Sequence, residues 1–149
     1  MIEIKRTNSS NKDFINLVVE LDKVLAILDG DEHEFYDQFN KLDNINNVVV
    51  LYKNNIPISC GAFKKYSSNS VEIKRMFTIF SERSKGLASV ILKELEIWAL
   101  EEKYTKTILE TGINQKEAIS LYKRNGYYII KNYGQYKNAD SSVCFEKLL

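Results

Sequence analysis

Short runs of alternating apolar and polar residues recur along this sequence, and segments with helical spacing separate most of them. Alternation combined with β-branched and aromatic content is typical of strands. It predicts strands at IEIKR (2–6), VEIKRMFTIF (71–80), TKTILET (105–111), YYIIK (127–131) and SVCFEKLL (142–149). A hairpin is predicted over residues 47–66, with its turn at Lys53-Asn54-Asn55 and Pro57 at the start of its second strand.

Four segments have apolar residues at helical intervals. They are residues 14–28, 31–43, 87–100 and 116–126. Either Ser10 or Asn11 can cap the first helix, and Gly126 is suited to end the fourth. The apolar stripe of the third helix, which we expect to be buried, comprises Leu87, Ile91, Leu95 and Trp98.

The order of these elements indicates a mixed sheet. Hairpin signals dominate the first half of the chain and favour antiparallel pairing. The second half alternates strand, helix, strand, helix and strand, and right-handed crossovers of this kind favour a local parallel pair.

The composition excludes several functional classes. Lys and Arg number 21 against 20 Asp and Glu, so the net charge of +1 lacks the basic excess that nucleic-acid binding requires. No apolar run approaches the ~20 residues of a membrane span, and the first ten residues lack the apolar core of a signal peptide. We interpret the chain as one cytoplasmic domain, residues 1–149, that binds neither nucleic acid nor membrane.

The two cysteines, Cys60 and Cys144, lie in apolar strand segments. Thiols in such positions are usually buried and inert. Because no paired metal-ligand spacing accompanies them, we expect neither a metal site nor a covalent cysteine intermediate.

The segment Arg83-Ser84-Lys85-Gly86-Leu87-Ala88 runs directly into the third helix. A helix N-terminus offers unpaired N–H groups and a partial positive charge, and small residues let an anion approach the backbone. The best-fitting ligand is a phosphate or pyrophosphate. The Walker and dinucleotide glycine patterns are absent, and from the loop alone an ordinary solvated loop explains the residues equally well.

A second motif appears in the fourth helix as Ala118-Ile119-Ser120-Leu121-Tyr122 followed by Gly126-Tyr127. Together with the Arg83–Ala88 loop it resembles the GNAT superfamily of acyl-coenzyme A dependent N-acyltransferases. The resemblance covers about residues 48–149. Ala88 replaces the second glycine of the loop, an accepted variant, and Gln115 replaces an asparagine that is common before the helix.

The resemblance implies an α/β fold of the α+β type, with a mostly antiparallel sheet of about seven strands, flanking helices and a parallel pair at the cofactor site. It implies acetyl-coenzyme A (acetyl-CoA) as cosubstrate and no metal. The β-strand residues Met76–Thr78 would supply backbone groups to the pantetheine arm and an N–H to the oxyanion. The cofactor-binding residues would be Met76, Phe77, Thr78, Arg83, Ser84, Lys85, Gly86, Leu87, Ala88, Ser89 and Gln115.

In the reaction that the resemblance implies, an amine attacks the thioester directly. Removing a proton from an amine of pKa ~10.4 costs roughly 4.6 kcal/mol at pH 7, so a base is needed. Glu72 is the candidate base and Tyr122 the candidate proton donor to the thiolate. The alternatives are that Glu72 is a surface glutamate paired with Lys74 and that Tyr122 is a core aromatic residue.

The acceptor is left open between a small-molecule and a peptide amine. The acidic segment 29–37 favours a cationic amine, although such a charge run is more often a solvated helix face. Within it, His33 and Tyr36 are candidates for substrate binding. A homodimer is left open, and a regulatory module that binds acyl-CoA without catalysis is the alternative function.

Overall fold

The computed structural model describes residues 1–37 and 44–149, apart from the side chains of His33 and Asp37. These residues form a seven-stranded sheet in the order β1-β2-β3-β4-β5-β7-β6. The strands are β1 (Ile2–Thr7), β2 (Asn47–Lys53), β3 (Ile56–Lys65), β4 (Ser70–Thr78), β5 (Lys106–Gly112), β6 (Tyr128–Ile130) and β7 (Ser142–Leu148). Only β4 and β5 pair in parallel within this sheet, which confirms the predicted mixed fold.

Four α-helices flank the sheet within the described ranges. They are α1 (Lys12–Asp29), α2 (His33–Asp37), α3 (Leu87–Glu101) and α4 (Lys116–Arg124). Three short 3-10 turns cover Gly30–Glu32, Phe80–Glu82 and Gly134–Tyr136.

The helix ends follow the predicted capping residues. Asn11, rather than Ser10, caps α1, since its Oδ1 accepts a 2.9 Å hydrogen bond from the N–H of Phe14. Gly126 has φ +88° immediately after the C-cap of α4, the left-handed backbone that favours glycine. The predicted second helix appears as the short α2, and its last part, residues 38–43, lies outside the described residues.

Two strand boundaries differ slightly from the prediction. The hairpin turn consists of Asn54 and Asn55 alone, with φ +51° and +68°, because a two-residue turn with both angles positive matches the twist of the flanking strands. Strand β4 ends at Thr78, two residues before its predicted end, and Phe80 is 84% exposed.

Apolar side chains pack on both faces of the central strands. In β2, Val49 and Leu51 join the core under α3 and α4, whereas Val48 and Val50 join the core under α1. Successive side chains of a strand point to opposite faces, so a continuous apolar run becomes buried on both sides.

The predicted buried stripe of α3 is correct in part. Ile91 and Leu95 are fully buried, whereas Leu87 and Trp98 are partly buried and cover the border of the core. The Trp98 ring lies between the edge of Phe63, 5.9 Å away by ring centroids, and the Arg6 guanidinium, 4.9 Å from its centroid.

Strands β4 and β5 diverge after a short region of pairing. Their parallel register covers only Ser70–Glu72 against Lys106–Ile108. A bulge follows, because Arg75 and Met76 both lie opposite Gly61 on β3 and Arg75 takes φ +60°. The rest of β4, as far as Thr78, has no strand partner on the β5 side, and a gap opens there in the sheet.

Candidate active site

A cavity of about 930 Å³ occupies the gap between β4 and β5. Its walls come from α1, β4, the N-terminus of α3, the end of β5 and α4. The predicted site residues on its wall are Tyr36, Glu72, Met76, Phe77, Thr78, Arg83, Ser84, Gly86, Leu87, Ala88, Ser89, Gln115 and Tyr122. Lys85 is not among the lining residues and instead forms a 3.0 Å ion pair with Glu82. The side chain of His33 lies outside the described part of the chain.

The first turn of α3 opens onto this cavity. Gly86 is its N-cap residue with φ +78°, and no side chain caps the turn. The unpaired N–H groups of the first turn therefore remain available to a ligand, and the dipole of the helix favours an anion.

Arg83 ties the loop to the end of β4. Its Nε donates a 2.8 Å hydrogen bond to the carbonyl oxygen of Thr78, and its guanidinium lies 5.7 Å from the centroid of Phe77. This fixes one cation beside the α3 turn. Lys116 and Arg124 of α4 also line the cavity, and both were missed in the sequence because they lie on the polar face of an amphipathic helix.

Tyr122 projects from α4 into both the cavity wall and the core. Its ring packs against Tyr127 and Phe145, with centroids 5.7 and 5.9 Å away. Burial raises the pKa of Tyr122, and the nearby Glu110 raises it further, so the hydroxyl stays protonated at neutral pH.

Glu72 lies at the point where β4 and β5 separate and is buried on the cavity wall. Its Oε2 accepts a 2.6 Å hydrogen bond from the Tyr133 hydroxyl, and its Oε1 lies 3.6 Å from Nζ of Lys74. The pair with Lys74 was anticipated from the sequence, but it is buried rather than on the surface, since each side chain is 12% exposed.

Glu110 is a second carboxyl group on the cavity wall, and sequence reasoning missed it. It is mostly buried on β5, and burial together with the charges of Asp29 and Glu72 raises its pKa to about 7. Its Oε2 accepts a 2.7 Å hydrogen bond from Oγ of Ser142, which lowers the pKa and only partly offsets the burial. The only signal in the sequence was a lone acidic residue in the apolar strand TILET.

Tyr36 reaches the cavity from α2. Its hydroxyl lies 2.5 Å from Oγ of Ser141 and 2.8 Å from Oγ of Ser142. Its ring stacks at 6.3 Å on Tyr136, which also lines the cavity.

The cysteines are buried, as predicted. Burial raises the pKa of Cys60 to about 12 and that of Cys144 to about 11. Both thiols are thus far from the thiolate form that a nucleophile needs.

Within residues 1–37 and 44–149, no cluster of three or more His, Cys, Asp or Glu side chains is arranged to hold a metal ion. No described helix has the length and apolar content that a membrane crossing demands.

Curated relatives match parts of the chain or all of it. The IAA acetyltransferase of Azospirillum brasilense is 25% identical over 99% of this chain and 98% of its own length. The uncharacterized N-acetyltransferase YjcF of Bacillus subtilis is 26% identical over 63% of this chain, and the match spans 64% of that protein, slightly under two thirds.

Solved structures share the fold over nearly the whole chain. A Klebsiella pneumoniae protein assigned as an acyl-CoA N-acyltransferase superimposes with a TM-score of 0.84 at 27% identity, over 100% of this chain and 98% of that one. A GNAT family acetyltransferase from Elizabethkingia anophelis, solved with acetyl-CoA bound, has a TM-score of 0.71 at 19% identity, over 99% and 98%. The PaiA N-acetyltransferase of Thermoplasma acidophilum, solved with coenzyme A, has a TM-score of 0.74 at 14% identity, over 100% and 99%.

The acetyltransferase (GNAT) family model matches residues 15–127. That range contains the α3 loop and the α4 motif, and it confirms the assignment to a family of acyltransferase enzymes. Because the match covers well over half of the chain, this protein belongs to the acetyltransferase (GNAT) family.

Proposed function

We propose that this protein transfers the acetyl group of acetyl-CoA directly to a primary amine of a small molecule or peptide. The observation that carries the proposal is the single cavity between β4 and β5. This cavity is lined by an uncapped helix N-terminus and Arg83. It is also lined by the carboxyl groups of Glu72 and Glu110 and by a protonated tyrosine, Tyr122.

The coenzyme would bind along the open side of β4. The N–H groups at the start of α3, with Arg83 beside them, suit the pyrophosphate. The unpaired edge of Met76–Thr78 offers backbone groups to the pantetheine arm and an N–H to the oxyanion.

The amine would enter as an ammonium ion near Glu72 and Glu110, where negative charge favours a cation. It loses one proton to a carboxylate, and its nitrogen then attacks the thioester carbon. As the C–S bond breaks, Tyr122 donates a proton to the sulphur. The nitrogen then releases its second proton, which returns to the Tyr122 oxygen, so the products are the amide and the thiol with one proton left on the carboxylate.

Two residues, Glu72 and Glu110, are candidates for the base. Glu72 is the candidate from the sequence, but both of its oxygens already face Tyr133 or Lys74. Glu110 has a pKa of about 7, close to the value that suits a base at neutral pH. We assign proton removal to Glu110 and the holding of the ammonium to Glu72, and we keep the reverse assignment as the alternative that pH profiles would distinguish.

The experiment is isothermal titration with acetyl-CoA, followed by a free-thiol release assay over a panel of amines. We expect acetyl-CoA to bind, NAD and ATP to bind more weakly, and thiol release to depend on an amine. Binding without thiol release with any amine would support the regulatory module instead. No binding of acetyl-CoA would remove both functions.

A further inference from the structure

A continuous chain of hydrogen bonds leads from Glu110 in the cavity to the protein surface. Ser142 Oγ donates to Glu110 Oε2 at 2.7 Å, and Tyr36 Oη lies 2.8 Å from Ser142 Oγ and 2.5 Å from Ser141 Oγ. Ser141 Oγ in turn donates to Oε2 of Glu32 at 2.5 Å.

We propose that Ser142, Tyr36 and Ser141 form a proton relay that carries the proton taken from the amine by Glu110 to the exposed carboxylate of Glu32. This inference rests on the proposed function, because only a reaction that releases a proton at Glu110 needs such a path.

The chemistry of each group suits the role. Both ends are carboxylates that bind a proton, and the three groups between them are hydroxyls, each able to donate one hydrogen bond while it accepts another. In one transfer the O–H bond of Glu110 breaks and a proton passes to Ser142. Each hydroxyl then donates its own proton to the next group, until an O–H bond forms on Glu32. The hydroxyls end with their protons facing Glu110. In the structure the two end bonds point outward, from Ser142 to Glu110 and from Ser141 to Glu32, so the hydroxyls rotate between one transfer and the next.

Burial explains why a relay is useful. Tyr36 and Ser142 are each only 6% exposed, whereas Glu32 is exposed on its 3-10 turn. During the reaction the coenzyme and the amine would fill the cavity in front of Glu110, so the side chains behind it offer the open route to water.

The charges around Glu110 allow it to gain and lose a proton near neutral pH. The groups that act on it electrostatically are Asp29 of α1, Glu72 and Lys74 of β4, Tyr122 of α4, Tyr136 of its 3-10 turn and Cys144 of β7. Its pKa of about 7 follows mainly from burial, and such a group accepts a proton from the amine and releases it again in each turnover.

The test compares the first turnover with steady-state turnover in Tyr36→Phe, which removes the central hydroxyl and keeps the ring. At pH 8 most Glu110 carboxyl groups start deprotonated, because their pKa is about 7, so rapid-quench measurement of the first turnover should give the wild-type rate. Steady-state kcat should fall by about tenfold because Glu110 must then lose its proton slowly. Increasing imidazole buffer at constant pH should restore kcat. The ratio kcat/KM for the amine should not change, because the slowed step follows the consumption of the amine.

Tyr128→Phe is the matched control, since it deletes an exposed tyrosine hydroxyl bonded to Glu146 outside the cavity. Ser142→Ala provides a second test in case Tyr36→Phe folds poorly, and it should show the same loss of steady-state kcat. Ser142→Thr, which keeps the hydroxyl, should behave as wild type.

A wild-type kcat in both Tyr36→Phe and Ser142→Ala would overturn the relay. A first-turnover rate that falls together with kcat, without buffer rescue, would also overturn it. If the unmodified chain releases no thiol with any amine, both the proposed function and the relay are refuted. If the unmodified chain turns over and Tyr36→Phe and Ser142→Ala have the same kcat as the unmodified chain, only the relay is refuted.

Discussion

Tyr133 donates a 2.6 Å hydrogen bond from its hydroxyl to Oε2 of Glu72, across 61 positions of the chain. The bond links the segment after β6 to the point where β4 leaves β5. Burial and the charge of Glu72 raise the pKa of Tyr133, so it remains a donor at any working pH. Glu72 is thereby held in place, which suits a residue that binds the ammonium group more than one that must accept its proton.

The first prediction separates the two candidate bases. We expect kcat/KM to rise through pH 7 as Glu110 loses its proton, and Glu110→Gln to abolish this rise and lower turnover by about 10²-fold or more. The loss should shrink as the pH approaches the acceptor pKa of ~10.4, because the amine then arrives deprotonated.

Glu72→Gln is the matched variant, with the same isosteric change on the neighbouring strand. It should raise KM for the amine and keep the rise through pH 7. If instead Glu72→Gln shows the pH-dependent loss and Glu110→Gln does not, Glu72 is the base.

The second prediction concerns the proton donor. Tyr122→Phe keeps the ring that packs on Tyr127 and Phe145 and deletes the hydroxyl. Turnover should fall by about 10²- to 10⁴-fold at every pH, while the dissociation constant of acetyl-CoA changes little. Calorimetry and initial rates check the two effects, with Tyr128→Phe as control. A fully active Tyr122→Phe would leave this residue with a packing role only.

The third prediction tests the anion site at the start of α3. A Cβ at Gly86 meets no atom within 4 Å, but it would lie on the backbone that we expect to approach the pyrophosphate. Gly86→Ala should reduce the rise in Tm that acetyl-CoA produces, a rise equivalent to ~2.7 kcal/mol at a hundredfold excess over Kd.

Gly126→Ala is the control, since Gly126 also has a positive φ, +88°, and does not line the cavity. Both variants should lower the Tm of the free protein through backbone strain. If Gly86→Ala retains the full coenzyme shift, the pyrophosphate binds elsewhere.

The fourth prediction is a dependence of stability on pH. Glu110 has a pKa of about 7 in the folded protein against 4.5 for an ordinary glutamate, so the folded state keeps a proton that the unfolded state has lost. Stability therefore falls as the pH rises from 4.5 to 7, by about 3 kcal/mol from this group.

Glu110→Gln should remove this decline, so denaturant unfolding should show a gain in stability over wild type that is larger at pH 8 than at pH 5. Glu20→Gln, on the exposed side of α1, should leave the decline unchanged. An equal gain at both pH values would mean that Glu110 titrates as an ordinary glutamate.

The sequence by itself determined the secondary-structure elements and pointed to the loop that we propose to bind the coenzyme. The spacing of apolar residues located all seven strands, because burial of one or both faces imposes a period that is visible locally. The loop from Arg83 to Ala88 could also be recognised in the sequence, because an anion site at a helix N-terminus is formed by consecutive residues.

Only the tertiary structure brings together the residues that we propose for the acceptor end. Glu110, Ser142 and Tyr36 are far apart in the chain and meet only because β7 pairs with β5 and α2 packs beside them. The raised pKa of Glu110 likewise depends on burial and on charges from other elements, since desolvation is a property of the folded surroundings. No local pattern encodes either relationship, and for this reason the sequence offered Glu72 as a candidate base but could not offer Glu110 as a second one.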